Sequence, residues 1–238
     1  PDQKRCQVNI LMPYHKIIPF YRNNLQNPTE NCNMLSKIVK AGSITNLTDA
    51  RFFAAYDVDF IGFNFDPKSP DYISPQNALA IKGWITGPKI VAEFANQDID
   101  NIKNIIQFFE PDFVEVDDSF MATILPELHQ LNMPVIVRTN QLFSPQDDVM
   151  FYVTSITNLQ QIKDVSKYIF DLSETTDALP ELNNILAIQL KGSPEMEVGI
   201  KSFDHIANLL EQLLQKTTLR AFSPLRRVNH TPLQPLRP

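Results

Sequence analysis

Short apolar runs alternate with apolar positions at helical spacing along most of the chain. From Lys37 to Tyr72 an apolar run at 37–39 precedes a turn, a segment with Ala50, Phe53, Ala54 and Val58 at helical spacing, and a second apolar run at 58–65. This pattern predicts a βαβ unit. Asn46 can cap its helix, and Asp49 places a carboxylate in the first turn, where the helix dipole favours negative charge. Two strands joined through a helix lie parallel, because the crossover returns the chain in the same direction.

The alternation continues. Strands are expected at 89–96, 112–118, 133–140, 149–156, 168–174 and 185–192. A helix opens at Ser74 with Pro75 in its first position, where the missing N–H costs nothing. Another carries Ile99, Ile102, Ile105, Ile106 and Phe109 on one face; further helices are expected over FMATILPELHQL, NLQQIKDVSK and SFDHIANLLEQLLQ. Eight βα units in sequence predict an α/β fold, a single (β/α)8 TIM barrel. Residues 34–216 are few for such a barrel, typically about 250 residues, so it should be compact, with short helices after strands 5 and 7.

Residues 1–33 have no sustained period and read as a poorly ordered N-terminal extension, with Met34 a natural start for the folded part. Residues 217–238, with four prolines and four arginines, read as a disordered basic tail.

Charge changes this picture. Residues 34–216 carry 13 Lys or Arg against 25 Asp or Glu, a net charge of −12 that argues against nucleic-acid and anionic-membrane partners. No apolar run approaches the roughly 18 residues of a membrane span. Cys6 and Cys32 precede the first strand outside any CxxC or metal-ligand spacing; a bond between them is allowed but not required. Low cysteine content and the lack of a leader pattern point to a cytoplasmic protein.

Several motifs resemble the phosphoribosylanthranilate isomerase family: ITN after strand 1, DxxxA in the first helix, GFxF on strand 2, PKSPxYxSP after it, and VGIKSFDHIANLLEQL near the end. The resemblance covers roughly residues 34–214 and implies an Amadori aldose–ketose isomerisation in tryptophan biosynthesis. It also implies a cysteine base on strand 1, an aspartate acid on strand 6, an arginine for the anthranilate carboxylate, and glycine turns for the phosphate.

At these positions the chain departs from the family. Gly42 stands at the base, and Val39 in the alternative alignment; neither side chain can take a proton. Thr154 or Ser155 stands at the acid and Asp71 at the arginine. Asp171 and Glu174 fall where the strand 7 glycine turn would be. Only Gly192 and Gly199 remain near the last phosphate loop, in a chain with six glycines.

The ends of barrel strands carry the chemistry in this fold. Here they hold Asp66, Asn96, Asp117, Asp118, Arg138, Asn140, Thr154, Glu174, Lys191 and Ser193. Asp71, Asp117, Arg138, Lys191, Gly192, Ser193 and Glu195 are the substrate-binding candidates. Asp117 and Arg138 are expected to pair across adjacent strands, either around a small-molecule ligand at the C-terminal face or only to neutralise an acidic mouth. Glu93, Glu115 and Asp117 offer oxygen ligands, but without a histidine or a spacing motif; neither metal nor cofactor is expected. His129 and His205 read as surface residues, and Trp84, Phe52 and Phe53 as packing residues. Three functions fit: an active isomerase with replacement residues, a binding or regulatory protein on the scaffold, or another small-molecule enzyme using Asp117 and Arg138.

Overall fold

The computed structural model describes Leu35 and residues 37–95, 97–142, 144–173, 185–192, 195–197 and 200–214. Both extensions, the helix expected after strand 7, and Asn96, Glu174, Ser193 and Gly199 lie outside the described residues.

Eight parallel strands close into a barrel in the order β1 to β8, with β8 returning to pair with β1. They are β1 Ile38–Gly42, β2 Phe60–Asn64, β3 Lys89–Glu93, β4 Phe113–Asp117, β5 Val135–Arg138, β6 Phe151–Ser155, β7 Tyr168–Asp171 and β8 Ala187–Lys191. The helices α1 Leu47–Ala55, α2 Pro75–Lys82, α3 Ile99–Phe109, α4 Asp118–Gln130 and α5 Asp204–Leu213 join or follow them. The barrel is therefore as expected from the alternation. No described helix is long and apolar enough to cross a membrane.

Local chemistry sets the boundaries. The Asn46 side chain accepts the Asp49 N–H at the start of α1, and Ser74 caps α2 ahead of Pro75. The apolar face of α3 buries Ile102, Ile105, Ile106 and Phe109 against the strands. Side chains alternate between two environments along each strand. One set meets the helices; the other fills the base of the barrel with Ile38, Phe60, Val91, Phe113, Ile136, Phe151 and Ile169. Phe60 makes edge contacts there with Phe113 and Phe151, at centroid separations of 5.2 and 6.1 Å.

Three expectations need correction. The segment after β6 forms 3-10 turns at Ile156–Gln161 and Val165–Lys167, not an α-helix. Ser155 and Asp164 each accept the N–H two residues ahead, a local bond that favours tight turns. No helix appears among the described residues between β5 and β6. Trp84 is 72% exposed in the turn after α2 and does not pack into the core. Phe53 is buried as expected, and Phe52 stacks on Phe203 at 4.2 Å.

Candidate functional site at the barrel mouth

Above the apolar base, the next interior layer is charged. Lys40 on β1 is fully buried. Its Nζ donates to Glu93 Oε1 at 2.5 Å and Gln189 Oε1 at 2.8 Å, and lies 2.8 Å from Glu115 Oε2. The other Glu93 oxygen accepts the N–H and Oγ–H of Ser43 at 3.0 and 2.8 Å. Arg138 donates from Nε to Glu115 Oε1 at 2.8 Å, from Nη1 to Asp171 Oδ2 at 3.0 Å, and from Nη2 to Gln189 Oε1 at 3.1 Å. Gln189 Nε2 completes the network at Asp171 Oδ2, 2.7 Å away.

Burial opposes the Lys40 ammonium, but Glu115 and Glu93 outweigh it and hold its pKa above the ordinary lysine value. Burial likewise opposes the Glu115 carboxylate; Arg138 and Lys40 more than offset it and hold its pKa below the usual range. Arg138 is raised despite burial, chiefly by Glu115. Lys40 bridges Glu93 and Glu115. Among the described residues no group of three His, Cys, Asp or Glu could hold a metal ion.

This network fills the space above β1. A Cβ at Gly42 would stand 2.8 Å from Gln189 Cδ, and one at Gly62 only 1.9 Å from Glu93 Oε1. Glycine at these two positions is what lets the buried side chains approach so closely. Over the same end of β1 runs the loop after β2. It is braced from within: Asp66 N–H donates to Asn64 Oδ1, and Asp71 N–H and Asn64 Nδ2 donate to Ser69 Oγ. Asp71 Oδ2 then accepts Lys191 Nζ at 2.5 Å. Since β1 lies between β2 and β8, this pair ties the loop across it. Gly192 packs against the α1 carboxylate, where a Cβ would stand 2.2 Å from Asp49 Oδ2.

Among the described residues the β4–β7 side is open. A cavity of about 480 Å³ lies there, lined by Asp117, Asp118, Arg138, Thr139, Ser155 and Asp171 among others. Asp117 is opposite Arg138 in register, but the expected pair is not formed. Asp117 Oδ1 instead accepts the N–H and Oγ–H of Ser119, capping α4, while the long Arg138 side chain reaches down to Glu115. Of the two residues considered for the family's acid, Thr154 shares the outward parity of core residue Tyr152, and its Oγ1 accepts Asn158 Nδ2 at 2.9 Å. Ser155, with the inward parity of Val153, caps the following turn.

The structure thus brings Asp117 and Arg138 to one cavity and places Asp71 and Lys191 in a separate pair. Glu195 lies on β9 Glu195–Glu197, which forms a two-stranded hairpin with β10 Ile200–Lys201. Lys40 and Gln189 were missed as site residues. They share inward parity with Glu93 and Glu115, a signal that appears only when the eight strands are set in register.

No protein-family model matches the chain. It is 27% identical over 190 residues to N-(5'-phosphoribosyl)anthranilate isomerase of Chloroherpeton thalassium, covering 79% of this chain and 82% of that protein. The Thermotoga maritima enzyme of the same name is 35% identical over 80 residues, 33% of this chain and 38% of its own. The solved phosphoribosyl anthranilate isomerase of Thermus thermophilus matches with a TM-score of 0.57 at 18% identity, over 74% of this chain and 97% of that one. TrpF of Jonesia denitrificans matches at 0.61 and 13%, over 74% and 95%. Three of these four likenesses run to proteins named as phosphoribosylanthranilate isomerases, and the solved structures share the fold.

Proposed function

We propose that this chain is a divergent phosphoribosylanthranilate isomerase-like barrel that binds a small molecule at its C-terminal face and is weak or inactive in the aldose–ketose isomerisation. The observation that carries this reading is at Gly42: the position matching the family's base has no side chain, and Gln189 fills the space one would need. General acid and base groups each supply roughly 10²- to 10⁴-fold in rate, and the protein has neither a titratable group at 42 nor one at 154. Asp71, at the position matching the arginine, is a carboxylate held by Lys191 and offers no cation of its own to a substrate carboxylate.

The test is the loss of phosphoribosylanthranilate fluorescence with purified protein. The expected result is no turnover above the uncatalysed rate. Robust turnover would overturn the reading and make a residue of the β4–β7 cavity the proton-transfer group.

A further inference from the structure

We infer that the β4–β7 cavity is a selective site for a cationic, polyhydroxylated small molecule such as an amino sugar, with Asp117 as its charge-reading residue. The inference deepens the proposed small-molecule binding at the barrel face and rests on that reading.

The cavity itself marks the site: its volume of about 480 Å³ lies within the ~300 to 1,000 Å³ of small-ligand pockets. Its charges decide the ligand's sign. The titratable groups lining it are three carboxylates, Asp117, Asp118 and Asp171, and one guanidinium, Arg138. That guanidinium, on a side chain 39% exposed, is engaged from Nε by Glu115, from Nη1 by Asp171 and from Nη2 by Gln189, so its charge is matched by two carboxylates of the barrel. An anionic ligand would meet a cation already neutralised, beside further carboxylates.

The carboxylates differ in what they have left to offer. Asp171 is committed at both oxygens, Oδ2 to Arg138 and Gln189 and Oδ1 to the Ser173 N–H. Asp117 is held by its cap through Oδ1 alone, and its Oδ2 carries no hydrogen bond among the described residues. Asp118 is held through Oδ2 by the Thr139 hydroxyl. Among the described residues, two anchored carboxylates thus each keep an acceptor oxygen for an ammonium group. Hydroxyl and amide side chains of Ser155, Ser173 and Asn140 on the same lining suit a ligand bearing several hydroxyls.

A matched set of probes tests this: D-glucosamine, D-glucose and D-gluconate, titrated against the full chain by saturation-transfer NMR. Glucosamine is expected to bind best and gluconate least. Asp117→Asn removes the charge but keeps the helix cap, because asparagine caps as well as aspartate. It should weaken glucosamine roughly tenfold and leave glucose within about twofold, the loss of one charge-assisted hydrogen bond. Preference for gluconate, equal weakening of glucosamine and glucose in the variant, or no transfer from any of the three overturns the inference. Turnover of phosphoribosylanthranilate would overturn the proposed loss of isomerisation without producing any of these results.

Discussion

On the side of the mouth formed by β8, β1, β2 and β3, the charged groups are spent on one another. Lys40 is enclosed by Glu93, Gln189 and, reaching over from β4, Glu115, and Lys191 ties Asp71 across the end of β1. On the side formed by β4 to β7, Asp117 and Asp118 sit at the start of α4, each with one oxygen unbonded among the described residues, beside an open cavity. The difference follows from burial. A charge removed from water must be paired and hydrogen-bonded, so among the described residues the buried layer around Lys40 has its charges matched internally. A charge at the edge of a cavity can be held by a single bond and keep the rest of its capacity. Identical strand geometry thus yields a structural plug on one side and a receptive surface on the other.

The largest expected effect comes from breaking the plug. Lys40→Met leaves Glu93 and Glu115 buried without their shared cation, and should lower stability by about 3 to 5 kcal/mol in denaturant titration. An unchanged midpoint would mean that water reaches this layer.

A smaller effect is expected with pH. Glu115 has a lowered pKa in the folded protein, so its stabilisation is present above the ordinary carboxylate value of about 4.3 and is lost as pH falls through the folded value. Lys40 has a raised pKa, so its contribution is complete below about 10.4 and is lost as pH rises through the folded value. Denaturant midpoints of the wild type should therefore decline toward acid pH, and Glu115→Gln should flatten that decline. An unaltered acid limb in the variant would place the effect on other carboxylates.

The barrel was legible because its strands are continuous apolar runs and its helices begin at capping side chains such as Asn46 and Ser74. The plug was not. Lys40, Glu93, Glu115 and Gln189 are far apart in sequence, and each looks unremarkable within its own strand; only the closed register brings them into one layer. The Asp117–Arg138 pair failed for a related reason. Register neighbours share a position on the wall, but arginine is long enough to reach a more deeply buried carboxylate, while aspartate answers the nearest unpaired helix N–H. Asp117 and Arg138 are the last residues of β4 and β5.

The central claim, that one side of the mouth is filled and the other open, is tested most directly by thiol accessibility. In a chain with Cys6 and Cys32 replaced by Ser, the near-isosteric variants Ser43→Cys, whose hydroxyl sits on Glu93 in the filled layer, and Ser155→Cys, on the cavity lining, would each be treated with a small neutral thiol reagent under native conditions, with folding monitored by circular dichroism. The thiol at 155 should react at least about tenfold faster, while the thiol at 43 stays protected until the chain unfolds. Equal native rates at the two positions would contradict the account.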